Sequence, residues 1–162
     1  MRFRALPPTP GALVLATALF ALSVRERVPE RQLVERLRQG DRRLHSELRL
    51  CLAWALRHLL GNVTDERAAV HVVGSTLTDE ARPSSDLDLI VEVPDLSPEG
   101  ASALEELNAD ITRAYAELMT NLGESFRLLD VHVVTSREEA QGMGFAPLLR
   151  GSSAARYAIP LF

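Results

Sequence analysis

The chain has 162 residues, of which 46% are hydrophobic and 25% charged, and this size and balance are typical of one globular domain. The formal net charge of −4 provides no general attraction to nucleic acid or to an anionic membrane, so we expect neither as a partner. All 18 basic residues are arginine, which excludes mechanisms that need a lysine, including a Walker-type phosphate loop.

The N-terminus has some features of a secretory signal, because Arg2 and Arg4 precede an apolar run at residues 12–22. Three prolines interrupt this arrangement, and the run is too short to span a bilayer. The single cysteine, Cys51, has no second cysteine with which to form a disulfide or a cysteine metal site. We therefore expect a cytoplasmic protein without a membrane segment, with export as the alternative.

Three helices are predicted in the N-terminal part of the chain, where apolar residues recur at helical spacing. Pro10 and Pro29 are typical of first helical turns, and Gly40-Asp41 is typical of a helix break. The predicted helices cover residues 9–25, the segment from Pro29 to that break, and residues 42–60, with Gly61-Asn62 ending the third.

Several side chains on these helices are given structural roles. Trp54 is expected in the core, whereas His45 and His58 are expected on the surface of the third helix. A solvated helix face is expected for the arginines at Arg36, Arg38, Arg42 and Arg43.

An α/β region follows, with apolar runs that predict strands at residues 69–73, 86–93 and 126–135. A loop or short helix is expected at 76–85 and a long helix at 98–122. Ser136 with Glu139 predicts a capping box for a last helix, and residues 157–162 are expected to be an extended packing segment. The fold class is therefore α/β (α+β), with a small mixed sheet flanked by helices.

The junction between the first two strands carries the strongest functional signal. Gly74-Ser75 is followed, after ten residues, by Asp86-Leu87-Asp88. Glycine lets the backbone approach a phosphate closely, and the serine adds a hydroxyl and an N–H group. Aspartates at i and i+2 on a strand point to one face, where they can jointly hold a hard divalent cation. The pattern predicts metal-assisted nucleotidyl transfer.

This pattern resembles the signature of the DNA polymerase β-like nucleotidyltransferase superfamily. It is most similar to the minimal nucleotidyltransferases, in which Gly-Ser, ten residues and Asp-x-Asp follow one another. The flanking segments at residues 80–83 and 85–89 are also typical of the family. The resemblance covers residues 45–162 and implies a nucleotidyltransferase domain there, with residues 1–44 as an N-terminal helical extension.

The resemblance also implies a third acid on the strand after the intervening helix, which is where Asp130 falls. A charge within this apolar strand is costly unless it is paired or bound to metal. By the period of two along a strand, Asp130 shares a face with Phe126, Leu128 and His132. His132 is a candidate to orient Asp130 or to contact nucleotide, whereas His71 is expected to be a core-edge histidine.

The implied activity is the Mg²⁺-dependent transfer of AMP from ATP, or of another nucleoside monophosphate, to a hydroxyl. The implied catalytic residues, which would also hold two Mg²⁺ ions, are Asp86, Asp88 and Asp130. Asp130 would in addition accept the proton of the attacking hydroxyl. The implied nucleotide-binding residues are Gly74, Ser75, Arg82 and Ser85.

The chain departs from its family just after Gly-Ser. Family members have a Gly-Ser-Arg-x-Arg-Gly pattern, in which arginine neutralises triphosphate charge, whereas this chain has Thr76, Leu77, Thr78 and Asp79. Arg82 is the candidate substitute. The departure keeps open an alternative function as a degenerate, non-catalytic binding module.

The resemblance implies a protein partner as well. Minimal nucleotidyltransferases often act as antitoxins that modify a HEPN-type toxin, and the N-terminal helices are candidates for self-association. An antibiotic nucleotidyltransferase is a further alternative, but only a short segment follows the third strand where such enzymes have a helical domain. Transfer to tRNA is disfavoured by the acidic balance.

Overall fold

The structure is a computed structural model that describes residues 8–64, 68–149 and 159–161. Three helices come first and an α/β region follows, in which a 3-10 turn at Gly74–Thr78 comes directly after the first strand. The elements in chain order are α1 (Pro10–Glu26), α2 (Glu30–Arg38), α3 (Arg42–Thr64), β1 (Ala69–Val73), β2 (Leu87–Val93), α4 (Pro98–Met119), β3 (Leu129–Thr135), α5 (Ser136–Gln141), α6 (Ala146–Leu149) and β4 (Ile159–Leu161).

Local sequence signals account for the first helix. The Thr9 hydroxyl accepts a hydrogen bond from the Ala12 amide at 3.2 Å and so caps the helix, and Pro10 occupies the first turn, where its missing N–H costs nothing. Arg27 then adopts a left-handed conformation and ends the helix. The prediction of a helix at 9–25 is confirmed.

The third helix is longer than predicted. It continues through Gly61-Asn62 to Thr64, so the predicted end at residue 60 is wrong. Glycine inside a helix costs about 1 kcal/mol relative to alanine, and that cost does not end a helix unless the following residues also leave helical geometry.

The strands form a four-stranded mixed sheet in the order β3-β2-β1-β4. β1 pairs with β2 and with β4 in antiparallel fashion, whereas β2 and β3 run parallel and are connected through α4. The predicted mixed sheet with flanking helices is confirmed. The extended tail is confirmed at residues 159–161, and residues 157, 158 and 162 lie outside the described part of the chain.

Three predicted boundaries are corrected. α4 ends at Met119 rather than at residue 122 because Thr120 adopts a left-handed conformation. β3 begins at Leu129 rather than at residue 126. Leu129 is the residue at which pairing with β2 starts, opposite Leu87. The capping box of α5 uses Thr135 and Glu138, one residue earlier than the predicted pair Ser136 and Glu139.

One face of the sheet packs against the four long helices. Residues of α1 to α4 and the inward side chains of β1 and β2, including Val72, Leu89 and Val91, belong to a single buried cluster. The opposite face carries a smaller cluster of Ile90, Val134 and Ala146. Because neighbouring residues of a strand alternate between faces, Asp88 lies on this second face, away from the main core.

Two predictions about helix side chains are wrong. Trp54 is 56% exposed rather than in the core, and the Arg57 guanidinium lies over its ring, 4.3 Å from the centroid. His45 is fully buried rather than on the surface. The His58 side chain lies outside the described part of the chain. No helix among the described residues is long and apolar enough to cross a membrane.

The start of α1 is fixed against α4. The Gly11 amide donates to the Asp110 carboxylate at 2.6 Å, and a Cβ on Gly11 would lie 2.6 Å from the Ile111 amide nitrogen. This distance is shorter than any ordinary contact, so the helices approach closely only because residue 11 is glycine.

We expect Gly11→Ala to lower the free energy of unfolding by about 1–3 kcal/mol, because the added methyl group forces α1 away from α4. Urea unfolding followed by circular dichroism measures the change. Ala16→Ser, at an exposed position of the same helix, is the control, with an expected change of about 0.5 kcal/mol or less. Equal stability of Gly11→Ala and wild type would contradict the close packing of the two helices.

Candidate active site

The register of the parallel strands brings two predicted acids together. Asp88 of β2 is paired with Asp130 of β3, and paired residues of a parallel ladder point to the same face. His132, two residues further along β3, shares that face. One ligand atom from each of these three residues lies within 4.8 Å of the other two, and His132 Nε2 is 3.2 Å from Asp130 Oδ2.

The site concentrates negative charge. Burial, together with the neighbouring carboxylates of Asp86 and Asp130, raises the pKa of Asp88 to about 6, while His132 opposes this rise. The Asp130 side chain is 49% exposed, so the acids open to solvent. A cation bound here would relieve this repulsion.

Gly74 makes room for the Asp88 carboxylate. It lies just after Val73, the β1 partner of Asp88, and has a φ of +80°, a conformation that other residues rarely adopt. A Cβ on Gly74 would overlap Asp88 Oδ2 and lie 3.1 Å from its carboxyl carbon. The carboxylate thus occupies the space that a side chain would fill. Two carboxylates and an imidazole around this cradle are a donor set that fits a divalent cation.

Asp86 lies apart from this group. It is exposed and immediately precedes β2, and it does not belong to the set of atoms within 4.8 Å formed by the other three side chains. It lines a cavity of about 370 Å³ between α4 and β3, which Asp130 also lines. The structure therefore brings Asp88 and Asp130 into contact range and leaves Asp86 at the rim.

Arg82 and Ser85, which are also predicted to bind nucleotide, lie in the loop before β2. The Ser85 hydroxyl accepts a hydrogen bond from the Arg82 amide at 2.9 Å and so closes a turn. The exposed Arg82 lines a second cavity, of about 530 Å³, together with Arg38 and Arg42. Neither residue belongs to the Asp88, Asp130 and His132 group. The Ser75 side chain lies outside the described part of the chain.

Residues 76–79, which differ from the family pattern, form the last part of the 3-10 turn and the residue that ends it. Thr76 is 1% exposed, and its hydroxyl has no hydrogen-bond partner among the described residues. Asp79 ends the turn in a left-handed conformation with a φ of 56°, at the position where the family pattern has glycine. Aspartate tolerates this conformation better than most residues, so the turn survives the substitution.

A buried arginine holds the loop that leads to the acids, and the sequence analysis missed it. Arg49 of α3 is fully buried. Its guanidinium donates to the Ser85 carbonyl, to the Arg82 carbonyl at 3.0 Å and to the Pro83 carbonyl at 3.2 Å. The planar, multiply donating guanidinium can serve several carbonyls at once, which fixes the chain just before Asp86.

Two neighbours complete this arrangement. The Tyr115 hydroxyl donates to the same Pro83 carbonyl at 2.9 Å, and burial raises its pKa. Burial lowers the pKa of His45 to about 4, so its ring is neutral at pH 7. With Nε2–H donated to the Leu37 carbonyl at 2.8 Å, Nδ1 accepts from Arg49.

The sequence contained a signal for this arginine. Arg49 precedes Leu52 by three residues and Leu56 by seven, so it lies on the apolar face of α3. A charged residue at such a position must find polar partners inside the protein, since an unpaired buried charge is very costly.

We expect Arg49→Met to lower the free energy of unfolding by about 2–4 kcal/mol, because it leaves buried carbonyl groups of the loop without donors. Arg57→Met on the same helix is the control, with an expected loss of about 1 kcal/mol or less from its contact with Trp54. Chemical denaturation of both variants provides the comparison, and losses of equal size would contradict the proposed role of Arg49.

We expect Asp88→Asn to stabilise the metal-free protein at neutral pH. The pKa of Asp88 is raised from 3.8 to about 6 in the folded state, so its contribution to stability is full below pH 4 and is lost as the pH rises through 6. Asparagine stays uncharged. After allowance for solvent screening of this half-buried group, the gain is about 1–2 kcal/mol at pH 7.5 and close to zero at pH 4.

Urea unfolding at the two pH values in the presence of EDTA measures this difference. Asp95→Asn, at an exposed position after β2, makes the same charge change and is the control. A gain for Asp88→Asn that is independent of pH would contradict the electrostatic explanation.

Comparison with known proteins agrees with this geometry. A family model described as a nucleotidyltransferase domain matches residues 55–150, which include β1, Gly74, both strands of acids and α4. No curated protein matches the chain. No solved structure matches it either. The match covers more than half of the chain, which therefore belongs to the nucleotidyltransferase domain family.

Proposed function

We propose that this protein is a metal-dependent nucleotidyltransferase that transfers AMP from ATP to a hydroxyl group. The observation that carries the proposal is the pairing of Asp88 with Asp130 beside the Gly74 cradle. Two adjacent acids beside this turn support metal-assisted attack on the α-phosphorus of a bound triphosphate. The family match supports nucleotidyl transfer in general.

In the reaction, the acceptor oxygen attacks the α-phosphorus, the bond from this phosphorus to the oxygen bridging to the β-phosphate breaks, and pyrophosphate leaves. Asp130, half exposed at the start of β3, accepts the proton of the acceptor hydroxyl. Two Mg²⁺ ions held by Asp86, Asp88 and Asp130 would neutralise phosphate charge and stabilise the oxygens of the transition state.

We propose that both main-chain and side-chain groups bind the nucleotide. The backbone N–H groups at the Gly74-Ser75 turn bind the β- and γ-phosphates, beside the Asp88 carboxylate that occupies the side-chain space of residue 74. Ser85 supports this arrangement by closing the turn with the Arg82 amide. Arg82, exposed and without an acidic partner among the described ion pairs, is proposed to reach the triphosphate in place of the arginines of the family pattern.

We also propose a subtype of nucleotidyltransferase, a protein acceptor and a role for the N-terminal residues. A minimal nucleotidyltransferase of a cytoplasmic toxin–antitoxin pair would use a HEPN-type toxin as acceptor, and residues 1–44 would be its helical extension. The spacing from Gly74-Ser75 to Asp86-Leu87-Asp88 supports this subtype. Leu13, Phe20 and Val24 on the outer side of α1 are more than half exposed, which is compatible with a protein partner or a second copy.

A second candidate function is a non-catalytic binding module. The observation that favours it is the 3-10 turn, which has a buried threonine at position 76 and an aspartate at 79 where the family pattern has arginine and glycine. In this function the acids persist without supporting triphosphate binding.

Two measurements separate these functions. Isothermal titration with a non-hydrolysable ATP analogue in Mg²⁺ tests binding, and transfer of label from α-³²P-ATP to the product of the neighbouring reading frame tests catalysis. For wild type we expect binding and labelled acceptor. Absence of binding for all four nucleoside triphosphates would contradict the proposal and favour the binding module.

We expect Asp130→Asn to lower the transfer rate at least about 100-fold while nucleotide binding stays within a few-fold of wild type, because the proton acceptor is lost. Asp88→Ala should abolish transfer. Asp95→Ala, exposed and outside the acid group, is the matched control and should retain full activity. Full activity of either site variant would contradict the assigned roles.

A further inference from the structure

We propose that His132 is a direct metal ligand and that the site therefore takes a first-row transition ion such as Mn²⁺ through an imidazole nitrogen. The inference deepens the proposed function, since it names a ligand and a metal class for the same site. Neither the sequence pattern nor the family match assigns His132 to the metal.

The spacing of the donor atoms suits coordination of a single ion. Asp88, Asp130 and His132 each offer an atom within 4.8 Å of the others, and the imidazole nitrogen is 3.2 Å from Asp130 Oδ2. Adjacent ligands around an ion with bonds of about 2.1 Å lie about 3.0 Å apart, and opposite ligands about 4.2 Å apart. The separation of the imidazole nitrogen from Asp130 Oδ2 matches that of adjacent ligands, and side-chain rotation can bring all three atoms into one coordination sphere.

The imidazole of His132 is held in place by its neighbours. The Phe145 ring stacks on His132 with centroids 3.7 Å apart and an angle of 25° between the planes. Residues 130 and 132 share one face of β3, so the strand itself delivers both donors to the same side. Ordered ligands bind a metal more tightly, because little side-chain freedom is lost on binding.

The acid group itself includes the imidazole. Among the described residues, the donor atoms that lie within 4.8 Å of one another come from Asp88, Asp130 and His132. Imidazole is a ligand for transition ions, whereas Mg²⁺ prefers oxygen donors and keeps much of its water. An imidazole added to the carboxylates therefore shifts the preference of the site toward a transition ion.

The test uses the full chain and Mn²⁺ alone. Electron spin echo measurements of Mn²⁺ bound to wild type should show modulation from a directly coordinated ¹⁴N nucleus. His132→Gln should remove this modulation and weaken Mn²⁺ binding about tenfold or more, with Mg²⁺ binding changed no more than about twofold. Melting of the metal-free variants checks that the fold is intact.

His71→Gln is the matched control. His71 lies on the same face of the sheet, on β1, but its Nε2 pairs with Glu92 at 2.6 Å and it does not belong to the acid group. This variant should keep the nitrogen signal and the wild-type affinity for Mn²⁺. Asp130→Asn should weaken binding of both ions.

The inference is overturned if bound Mn²⁺ shows no nitrogen coordination in wild type, if the signal persists in His132→Gln, or if wild type binds no Mn²⁺. Failure of nucleotidyl transfer is a separate outcome. It would contradict the proposed function, while a nitrogen signal that depends on His132 would still establish the metal ligand.

Discussion

The parallel pairing of β2 with β3 is the constraint on which the site depends. It sets Asp88 against Asp130 on one face of the sheet, where burial and like charge raise the pKa of Asp88 to about 6. The hydrophobic residues on the other face of the same strands, such as Leu89 and Val91, keep this register in place because a slip would expose them. The main core therefore stabilises an arrangement of charges that is unfavourable by itself and that a cation would relieve.

Two further features hold the acids in this arrangement. Gly74 leaves space for the Asp88 carboxylate, which a side chain at that position would displace. Arg49 donates to the carbonyls of Arg82, Pro83 and Ser85, so the loop before the acids is attached to the interior of the helical layer. The geometry of the acids is thus set in part by residues outside the acid group itself.

Much of this protein could be predicted from residues that are close together in the chain. The helix at 9–25 followed from Thr9 and Pro10, the strands from their apolar runs, and the acids from the spacing between Gly74-Ser75 and Asp86-Leu87-Asp88. The predictions were wrong where contacts between residues far apart in the sequence determine whether a side chain is buried. His45 is buried between α2 and α4, which supply its contacts with Leu37 and Tyr115, whereas Trp54 lies on an exposed side of α3 with Arg57 over its ring.

The sequence by itself determined the order of the elements, the candidate phosphate-binding turn and the three candidate acids, because periodicity, capping and motif spacing are properties of neighbouring residues. Only the tertiary structure decided which donors converge. Asp88, Asp130 and His132 come within reach of one ion while Asp86 stays at the rim, because strand register and side-chain direction depend on the packing of β2, β3 and the helices. The same packing decided that Arg49 lies inside the protein, where its charge is compensated by backbone carbonyls rather than by water.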